Sequence, residues 1–433
     1  MKRGEVLRAW LPLEAAWLLM AIEGPFIAAV VARLADPTLN LAAFGVAFPL
    51  GMLFESPIIL IMSASTALVA DRESLHRLFR FTTALNGAIT LALAVCVVPP
   101  VFAALSMGLM GLPEAVAVKA HVALALLLPW PAAIGFRRFY QGLLIRAGKT
   151  RFVAYCTAIR LVGMGGTALL LALLGRWPGA WVGCAALSVG VTVEAVAARL
   201  WASGCLRDLK GRTPAEDSAP LTYRAIAHFY VPLAMTSVLT LGVNPLVSFF
   251  LGRARMPLES LAVMPVVNSF VFIFNTAGLT FQEVAIPLFD RGERAHAALR
   301  RFAWTLALVA SGLLLLVALS PLSRLWFQGV AGLSPLLAAF AATPAAILGL
   351  LPALTVLVCY QRAALVVART TRPITWATVL EVGGIAAVLL LLTQGFGLVG
   401  VLGAACALVA GRAASGLYLM PRLRQLGRAS TPA

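Results

Sequence analysis

Charged residues are scarce in this chain of 433 residues. Only 12% of the residues are charged, whereas 61% are hydrophobic, and the mean hydropathy is +0.94. A soluble domain is typically about half apolar and a quarter charged, so an aqueous fold could not bury this many apolar side chains. The composition excludes a soluble enzyme, a disordered protein and a disulfide-stapled secreted domain. The apolar runs are long and continuous, unlike the short alternating strands of a membrane β-barrel.

Residues arranged for catalysis or metal binding are also lacking. The six cysteines and four histidines show no metal-ligand spacing. The sequence contains no Walker-type phosphate loop and no Gly-x-Ser-x-Gly elbow. We therefore expect no enzymatic activity, no cofactor and no direct coupling to ATP hydrolysis. No cleavage site follows the first apolar run, which Glu14 and Glu23 interrupt, so this run predicts an uncleaved first helix.

Long apolar runs are what the sequence does contain. A helix needs about 20 predominantly apolar residues to cross a bilayer, and the chain can supply about twelve such helices. The runs predict an all-α polytopic membrane protein with helices near residues 10–34, 39–70, 77–107, 114–147, 151–175, 178–203, 225–252, 257–289, 300–327, 334–368, 373–394 and 396–420.

Basic residues outnumber acidic ones by 34 to 17, which gives a net charge of +17. With a cytoplasmic N-terminus, 27 cations fall at the inner helix ends and 6 at the outer ends, while Arg160 lies inside a span. This asymmetry follows the positive-inside rule. It predicts a multi-pass protein of the inner or plasma membrane with both termini in the cytoplasm, and it favours anionic lipid over nucleic acid as the partner of the excess charge.

An internal repeat relates the two halves of the chain when residue n is aligned with residue n + 220. This offset aligns Pro12 with Pro232, Pro25 with Pro245, Arg33 with Arg253, Pro37 with Pro257, Tyr140-Gln141 with Tyr360-Gln361, and Gly175 with Gly395. Because each half holds six helices, both halves enter the membrane in the same direction, as in transporters that move two bundles about a central site. The repeat predicts an N-terminal lobe at 1–203, a polar cytoplasmic linker at 204–224 and a C-terminal lobe at 225–433.

Short motifs within this repeat resemble a known superfamily. Both halves place Tyr-Gln near the inner end of a helix, in the segments 140–151 and 360–373. Phe54-Glu55-Ser56-Pro57, Tyr230-Val231-Pro232 and Asn244-Pro245 add to the pattern. The chain is thus similar to the MATE-like multidrug and flippase superfamily, and within it to the progressive ankylosis protein family. That resemblance implies export of small organic anions such as citrate, ATP or pyrophosphate.

Two helices contain a proline that should interrupt them at matching points of the repeat. Gly24-Pro25 lies in the first helix, and Asn244-Pro245 lies in the seventh. Proline removes a backbone hydrogen bond and bends or breaks a helix. Broken helices at corresponding places in two repeats indicate a transporter binding site, so we predict that Gly24, Pro25 and Pro245 act as hinges and that Asn244 lies near the substrate.

Carboxylates inside a membrane span are costly and usually face a cavity or a partner. Glu14 and Glu23 are nine residues apart and point to opposite helix faces. Glu14 is expected to snorkel to the inner surface, which leaves Glu23 as the candidate for a cavity, or alternatively as a protonated carboxyl bonded to a neighbouring helix. The repeat aligns Glu55 with Asn275, so both halves should present a polar group at this point.

The eighth helix has a polar stripe. Asn268, Asn275 and Gln282 recur every seven residues and share one face, with Glu283 beside them. The stripe lines either a substrate groove or a helix–helix interface held by hydrogen bonds.

Cations and amides in the fourth, fifth, tenth and eleventh helices complete the candidate site. Arg137 shares a face with Gln141, and Arg137 and Arg138 are either substrate ligands or anchors at the inner surface. Arg160 and Glu381 each either face a cavity or are paired within their own lobe. In the tenth helix, Gln361 aligns with Gln141, and Arg362 is a further candidate cation, whereas Leu357 and Val358 align with Arg137 and Arg138.

The leading hypothesis is therefore a secondary transporter that exports an anionic metabolite by alternating access of two lobes. Its arginines would bind carboxylate or phosphate groups. The second hypothesis is a proton- or sodium-coupled exporter of cationic drugs, in which Glu23 and Glu55 bind the coupling ion. The third is a flippase of lipid-linked substrates. We expect a monomer with a small-molecule substrate and, in the coupled cases, a proton or sodium ion.

Overall fold

The computed structural model of the chain describes residues 3–211, 221–289, 293–370 and 372–429, and its regular elements are helices. Twelve of these helices are long and apolar enough to cross a membrane. They are α1 (Glu5–Ala32), α2 (Pro37–Glu55), α3 (Arg72–Val97), α4 (Glu114–Arg146), α5 (Thr150–Leu174), α6 (Gly179–Trp201), α7 (Tyr223–Arg253), α8 (Pro257–Phe289), α9 (Ala295–Leu319), α10 (Pro335–Val367), α11 (Arg372–Gly395) and α12 (Gly400–Leu423). The predicted all-α polytopic fold is confirmed.

Packing divides the chain into two compact units. The N-unit comprises Leu34–Ser248, and the C-unit comprises Met1–Arg33 together with Phe249–Ala433. These units differ from the lobes expected at 1–203 and 225–433, because α1 packs within the C-unit and most of α7 packs within the N-unit. Part of the expected linker at 204–224 is helical. This helix, Ser203–Lys210, buries Cys205 and Leu209. Residues 212–220 of the expected linker lie outside the described part of the chain.

Prolines interrupt α1 and α7 in the same way. The first segment of α1 ends at Ala21, four residues before Pro25, and the second begins at Glu23. The first segment of α7 ends at Leu241, again four residues before its proline, Pro245. Proline has no N–H to donate to the carbonyl four residues earlier. The two breaks therefore lie where the proline pattern predicts them.

A third break, directly after α2, differs from the sequence pattern, which predicts one helix over 39–70. The chain forms a turn at 56–60 and resumes as the helix Ile61–Leu68. Pro57 cannot bond the carbonyl of Leu53, and the Ser56 hydroxyl donates to that carbonyl instead at 2.6 Å. The Tyr230 hydroxyl donates to the carbonyl of Pro57 and thereby fixes the turn against α7.

The repeat offset changes along the chain, so the constant value of 220 is wrong beyond the third helix. Asp36 and Met256, both with left-handed backbone, still keep the offset of 220. The π-helices Ala104–Leu109 and Leu325–Val330 instead begin at positions whose numbers differ by 221. Another π-helix, Leu390–Gly395, forms the last turn of α11, whereas the equivalent helix of the first half, α5, is α-helical to its end at Leu174. A π-turn accommodates one inserted residue, and the numbers of the equivalent helix ends, Gly175 and Gly397, accordingly differ by 222.

Candidate functional site

A buried charge cluster joins α4, α5 and α6 in the N-unit, and we call it the N-cluster. At its centre is Glu194 of α6, which is 1% exposed. One carboxylate oxygen accepts a 2.6 Å hydrogen bond from Arg137, and the other accepts a 3.0 Å bond from the Gln141 amide. The Nε of Arg160 lies 3.4 Å from the same carboxylate. Two guanidinium groups therefore share one negative charge.

Local helix geometry explains how the N-cluster forms. Arg137 and Gln141 are one turn apart on α4 and so reach the same carboxylate. A glycine, Gly190, lets α5 approach α6, because a Cβ at this position would lie 2.8 Å from the Cβ of Met164 and 3.1 Å from the carbonyl of Arg160. The sequence predicted the shared face of Arg137 and Gln141. It left open whether Arg160 is paired, and the structure pairs it within the N-unit.

A second buried cluster, the C-cluster, joins α10, α11 and α12. The carboxylate of Glu381 lies 2.7 Å from Nε of Arg412 and 3.6 Å from a terminal nitrogen of Arg362. Arg362 also donates to the Thr378 hydroxyl at 3.3 Å. A Cβ at Gly411 would lie 2.8 Å from the carbonyl of Glu381, so α11 and α12 also meet at a glycine. Here too, two guanidinium groups share one carboxylate.

The two clusters are related by the offset of 221, but their charges are exchanged. Gly190 packs on the carbonyl of Arg160, and Gly411 packs on that of Glu381. In the N-cluster, α5 supplies a cation, Arg160, and α6 supplies the carboxylate of Glu194. In the C-cluster, the equivalent helix α11 supplies the carboxylate of Glu381, and α12 supplies a cation, Arg412. The position equivalent to Gln141 is Arg362. Gln361, which the sequence aligned with Gln141, instead donates to the carbonyl of Gly416 at 3.2 Å.

Arg138 is the cation of this region that lacks a carboxylate partner. Its guanidinium lies 3.8 Å from the sulfur of Met62, and its buried Nε has no hydrogen-bond acceptor. Among the described residues, no Asp or Glu oxygen lies within 4 Å of it. Glu55 is also buried, and its carboxylate accepts a 2.6 Å hydrogen bond from the indole of Trp130.

The remaining candidates are the amides and the carboxylates of α1, α7 and α8. Asn268, Asn275 and Gln282 are each half-buried on α8, and Glu283 is exposed. Within the described residues, none of the three amides takes part in either cluster. Glu23 is half-buried in the first turn of the second segment of α1. Asn244, half-buried at the break in α7, accepts a 3.2 Å bond from the Ser248 hydroxyl through its backbone carbonyl.

Three residues that make buried polar contacts differ from what the sequence predicts: Glu194, Arg412 and Glu14. Glu194 was one of the few acids inside a span, which was a usable signal. Arg412 is one of the 27 cations assigned above to the inner helix ends, although it lies deep within the predicted helix 396–420. The expectation that Glu14 snorkels to the surface is wrong: the residue is 5% exposed, and its carboxylate accepts a 2.8 Å hydrogen bond from the Thr276 hydroxyl.

Comparison with known proteins shows which sequence family and which folds this chain resembles. The sequence model of the MatE family matches residues 12–165. None of the curated proteins matches the sequence.

Three solved structures illustrate the similarity of fold. An inward-facing multidrug resistance MATE family transporter of the MOP superfamily superposes with a TM-score of 0.71 at 14% identity, covering 100% of both chains. The lipid II flippase MurJ in an inward closed conformation gives 0.72 at 12% identity, covering 95% of this chain and 87% of that one. A MOP superfamily transporter from Pyrococcus furiosus, described as having a binding pocket of reversed polarity, gives 0.61 at 15% identity, covering 98% and 96%. The chain therefore has the MATE-like fold of MOP superfamily transporters.

Proposed function

We propose that this protein is a secondary transporter that exports a small organic anion by alternating access. Support comes from twelve helices able to span a membrane, from the parallel repeat of six helices, and from the MatE match over residues 12–165. The fold is shared with a multidrug transporter and with a flippase. The positive charge of the arginines within the spans favours an anionic substrate over a cationic drug or a lipid-linked substrate.

The observation that carries the proposal is the incomplete neutralisation of Arg138. A cation inside a membrane span costs about 3 kcal/mol or more unless it is paired. Arg137, its neighbour in sequence, is neutralised by Glu194 at 2.6 Å. Among the described residues, the Arg138 guanidinium contacts the Met62 thioether at 3.8 Å, its Nε has no acceptor, and the charges of Glu55 and Glu194 act on it without forming an ion pair. A carboxylate or phosphate group of a substrate would supply the missing acceptors, because guanidinium binds such groups through paired N–H donors.

Each unit, taken by itself, also holds a cluster with excess positive charge within its spans. Each contains two guanidinium groups for one carboxylate. Fixed positive charge raises the local concentration of anions and compensates the hydration that they lose. The reversed pocket polarity described for the Pyrococcus furiosus transporter supports the view that this fold can be adapted to substrates of different charge.

Uptake into proteoliposomes tests the substrate class. The purified protein should transport citrate or ATP in preference to a cationic dye. Arg138→Gln should lower kcat/KM for the anion by a factor corresponding to about 1–3 kcal/mol, the usual strength of a charged hydrogen bond. Arg138→Lys should restore only part of the loss, because an ammonium group cannot form the planar fork.

The matched control is Arg80→Gln, which removes an exposed cation from α3 and should leave transport unchanged. Equal anion transport by wild type and Arg138→Gln would contradict the assignment of Arg138.

Transport of the cationic dye alone would favour the second hypothesis, for which the buried Glu55 carboxylate would be the ion-coupling group. Transport of lipid-linked substrates alone would favour a flippase. An apolar cavity of about 380 Å³ in the C-unit, with Arg33 in its lining, could hold a lipid chain in that case.

A further inference from the structure

Glu55 is a charged residue of the N-unit interior whose sign is opposite to that of Arg138. The residue is the last of α2 and is 5% exposed. One carboxylate oxygen accepts the 2.6 Å hydrogen bond from the Trp130 indole. No Lys, Arg or His nitrogen of the described residues lies within 4 Å of this carboxylate. An indole N–H can only donate, so the bond fits an ionised carboxylate, and a negative charge is buried here without an ion-pair partner.

The position of Glu55 at a helix end also favours a cation nearby. The helix α2 ends at Glu55, and the chain turns at residues 56–60. Backbone carbonyls at the C-terminal end of a helix carry partial negative charge, which favours a cation and disfavours a carboxylate. The side chain and the helix end therefore both call for a positive group at this point.

Aromatic packing fixes the Glu55 carboxylate in place. Trp130, which donates to it, is 6% exposed and packs edge-on against Phe48, with ring centroids 6.3 Å apart. Phe48 in turn stacks on Phe44 at 5.4 Å. The donor that orients the carboxylate is thus held by its neighbours before any ligand binds. A preorganised group loses little conformational entropy on binding.

Glu55 and Arg138 belong to one region of the N-unit but do not form an ion pair. Both are attached to α4, Glu55 through its bond with Trp130 and Arg138 as a residue eight positions further along, or about two turns. The charge of Glu55 acts on Arg138, yet the two groups lie beyond the 4 Å limit of an ion pair. A ligand that carries both an anionic and a cationic group would pair with both.

The charge balance of this region favours a ligand with one negative charge overall. Among the described residues, the charged groups that act on Arg138 are Arg137, Arg160, Glu55 and Glu194. With Arg138 itself, three cations face two anions, which leaves one positive charge.

We propose that the substrate is an acidic α-amino acid, with a carboxylate bound to Arg138 and its ammonium group bound to Glu55. Such a molecule has two carboxylates and one ammonium group, so its net charge of about −1 at neutral pH matches the charge balance. Both contacts are charge-assisted hydrogen bonds. The inference rests on the proposed function, because it takes Arg138 as the anion ligand, and it narrows the substrate class to dicarboxylates that carry an amino group.

Uptake of two matched dicarboxylates into proteoliposomes tests this inference. L-Glutamate and glutarate share a five-carbon dicarboxylate chain and differ in the ammonium group. Wild type should show a kcat/KM for glutamate about tenfold or more above that for glutarate, as expected for one charge-assisted hydrogen bond. Glu55→Gln should bring this ratio close to one, whereas Arg138→Gln should lower transport of both molecules. Glu114→Gln is the matched control, because it removes an exposed carboxylate from α4, and it should keep the wild-type ratio.

The outcomes separate this inference from the proposed function. Transport of glutarate or citrate in preference to glutamate, with a loss in Arg138→Gln, would support the proposed function and overturn the ammonium site. An unchanged ratio in folded Glu55→Gln would also overturn the ammonium site. Transport of no anion by wild type would contradict the proposed function itself.

Another variant covers the case in which Glu55→Gln does not fold. Trp130→Phe keeps an aromatic ring but removes the N–H that positions the carboxylate. It should lower the ratio of glutamate to glutarate transport several-fold, mainly through a higher KM for glutamate. A wild-type ratio in Trp130→Phe would overturn the inference.

Discussion

Glu194 and Glu381 each hold two guanidinium groups within the membrane-spanning helices. Loss of either carboxylate would leave two buried cations without a counter-charge, whereas loss of one guanidinium would leave a balanced pair. Breaking a buried ion pair from one side is far more costly than its net contribution to stability, because the remaining charge stays desolvated. The carboxylates are therefore the residues on which the packing of their helices depends most strongly.

We accordingly expect Glu194→Gln to lower the free energy of unfolding by about 3–5 kcal/mol. Denaturation of the purified protein in micelles, followed by far-UV circular dichroism, measures this change. Glu73→Gln provides the control, because Glu73 forms a partly exposed pair with Arg77 one turn away and such pairs contribute at most about 1 kcal/mol. Equal destabilisation by both variants would show that Glu194 does not have this special role.

Sequence reasoning identified many of these residues but not their partners. Charged groups inside apolar runs are conspicuous, so Arg137, Arg160, Arg362 and Glu381 were identified as candidates. Which carboxylate meets which cation depends on helix packing that no spacing rule gives. Glu14 was misjudged for this reason: its burial results from contact with Thr276, which lies more than half the chain away.

Proline governs the breaks in α1, in α7 and directly after α2, but the sequence predicts only the first two. Pro25 and Pro245 were recognised because the repeat places them at matching positions. Pro57 has no proline mate, since Ala277 occupies the aligned position and α8 continues through it as a helix. Its break also depends on the Tyr230 hydroxyl, which only the folded N-unit brings to the Pro57 carbonyl.

The breaks in α1 and α7 should set the rate of transport. Pro25→Ala together with Pro245→Ala would restore N–H donors for the carbonyls of Ala21 and Leu241 and so stiffen both helices. We expect a lower turnover with little change in KM, measured as the initial rate of uptake into proteoliposomes at varied substrate concentration. Unchanged turnover in the double variant would mean that the kinks serve the packing alone.

At the scale of the whole molecule, the cation distribution predicts the orientation in the membrane. Reporter fusions after residue 215 and after residue 430 should both report the cytoplasm, because the cations at the predicted inner helix ends far outnumber the 6 at the outer ends. This holds even without Arg137, Arg138, Arg362 and Arg412, which lie within the spans. Both fusion points lie outside the described residues, so the measurement is independent of the structure. Reporters on opposite sides of the membrane would contradict the twelve-helix topology or its orientation.

The composition of the two units could not be read from the repeat. Hydropathy predicts the helices and their order, and the repeat offset predicts which helices of the two halves are equivalent. Neither pattern predicts that α1 packs within the C-unit, with residues after 248. Neither predicts that most of α7 packs within the N-unit, with residues before 249. The offset also changed with each inserted residue, which explains why Tyr140-Gln141 and Tyr360-Gln361 match in sequence but differ in their contacts.

The exchanged charges of the two clusters have a consequence for biogenesis. Twelve related helices enter the bilayer one after another, and helices from equivalent positions are similar enough to associate with the wrong neighbours. If α5 paired with α12, Arg160 would meet Arg412, and if α11 paired with α6, Glu381 would meet Glu194. Both mispairings would bury like charges in hydrocarbon, whereas each correct pairing buries opposite ones. The opposite polarity of the two ion-pair clusters thus disfavours wrong helix pairs during assembly. Helices of one half of the chain would pair with those of the other half only by burying like charges.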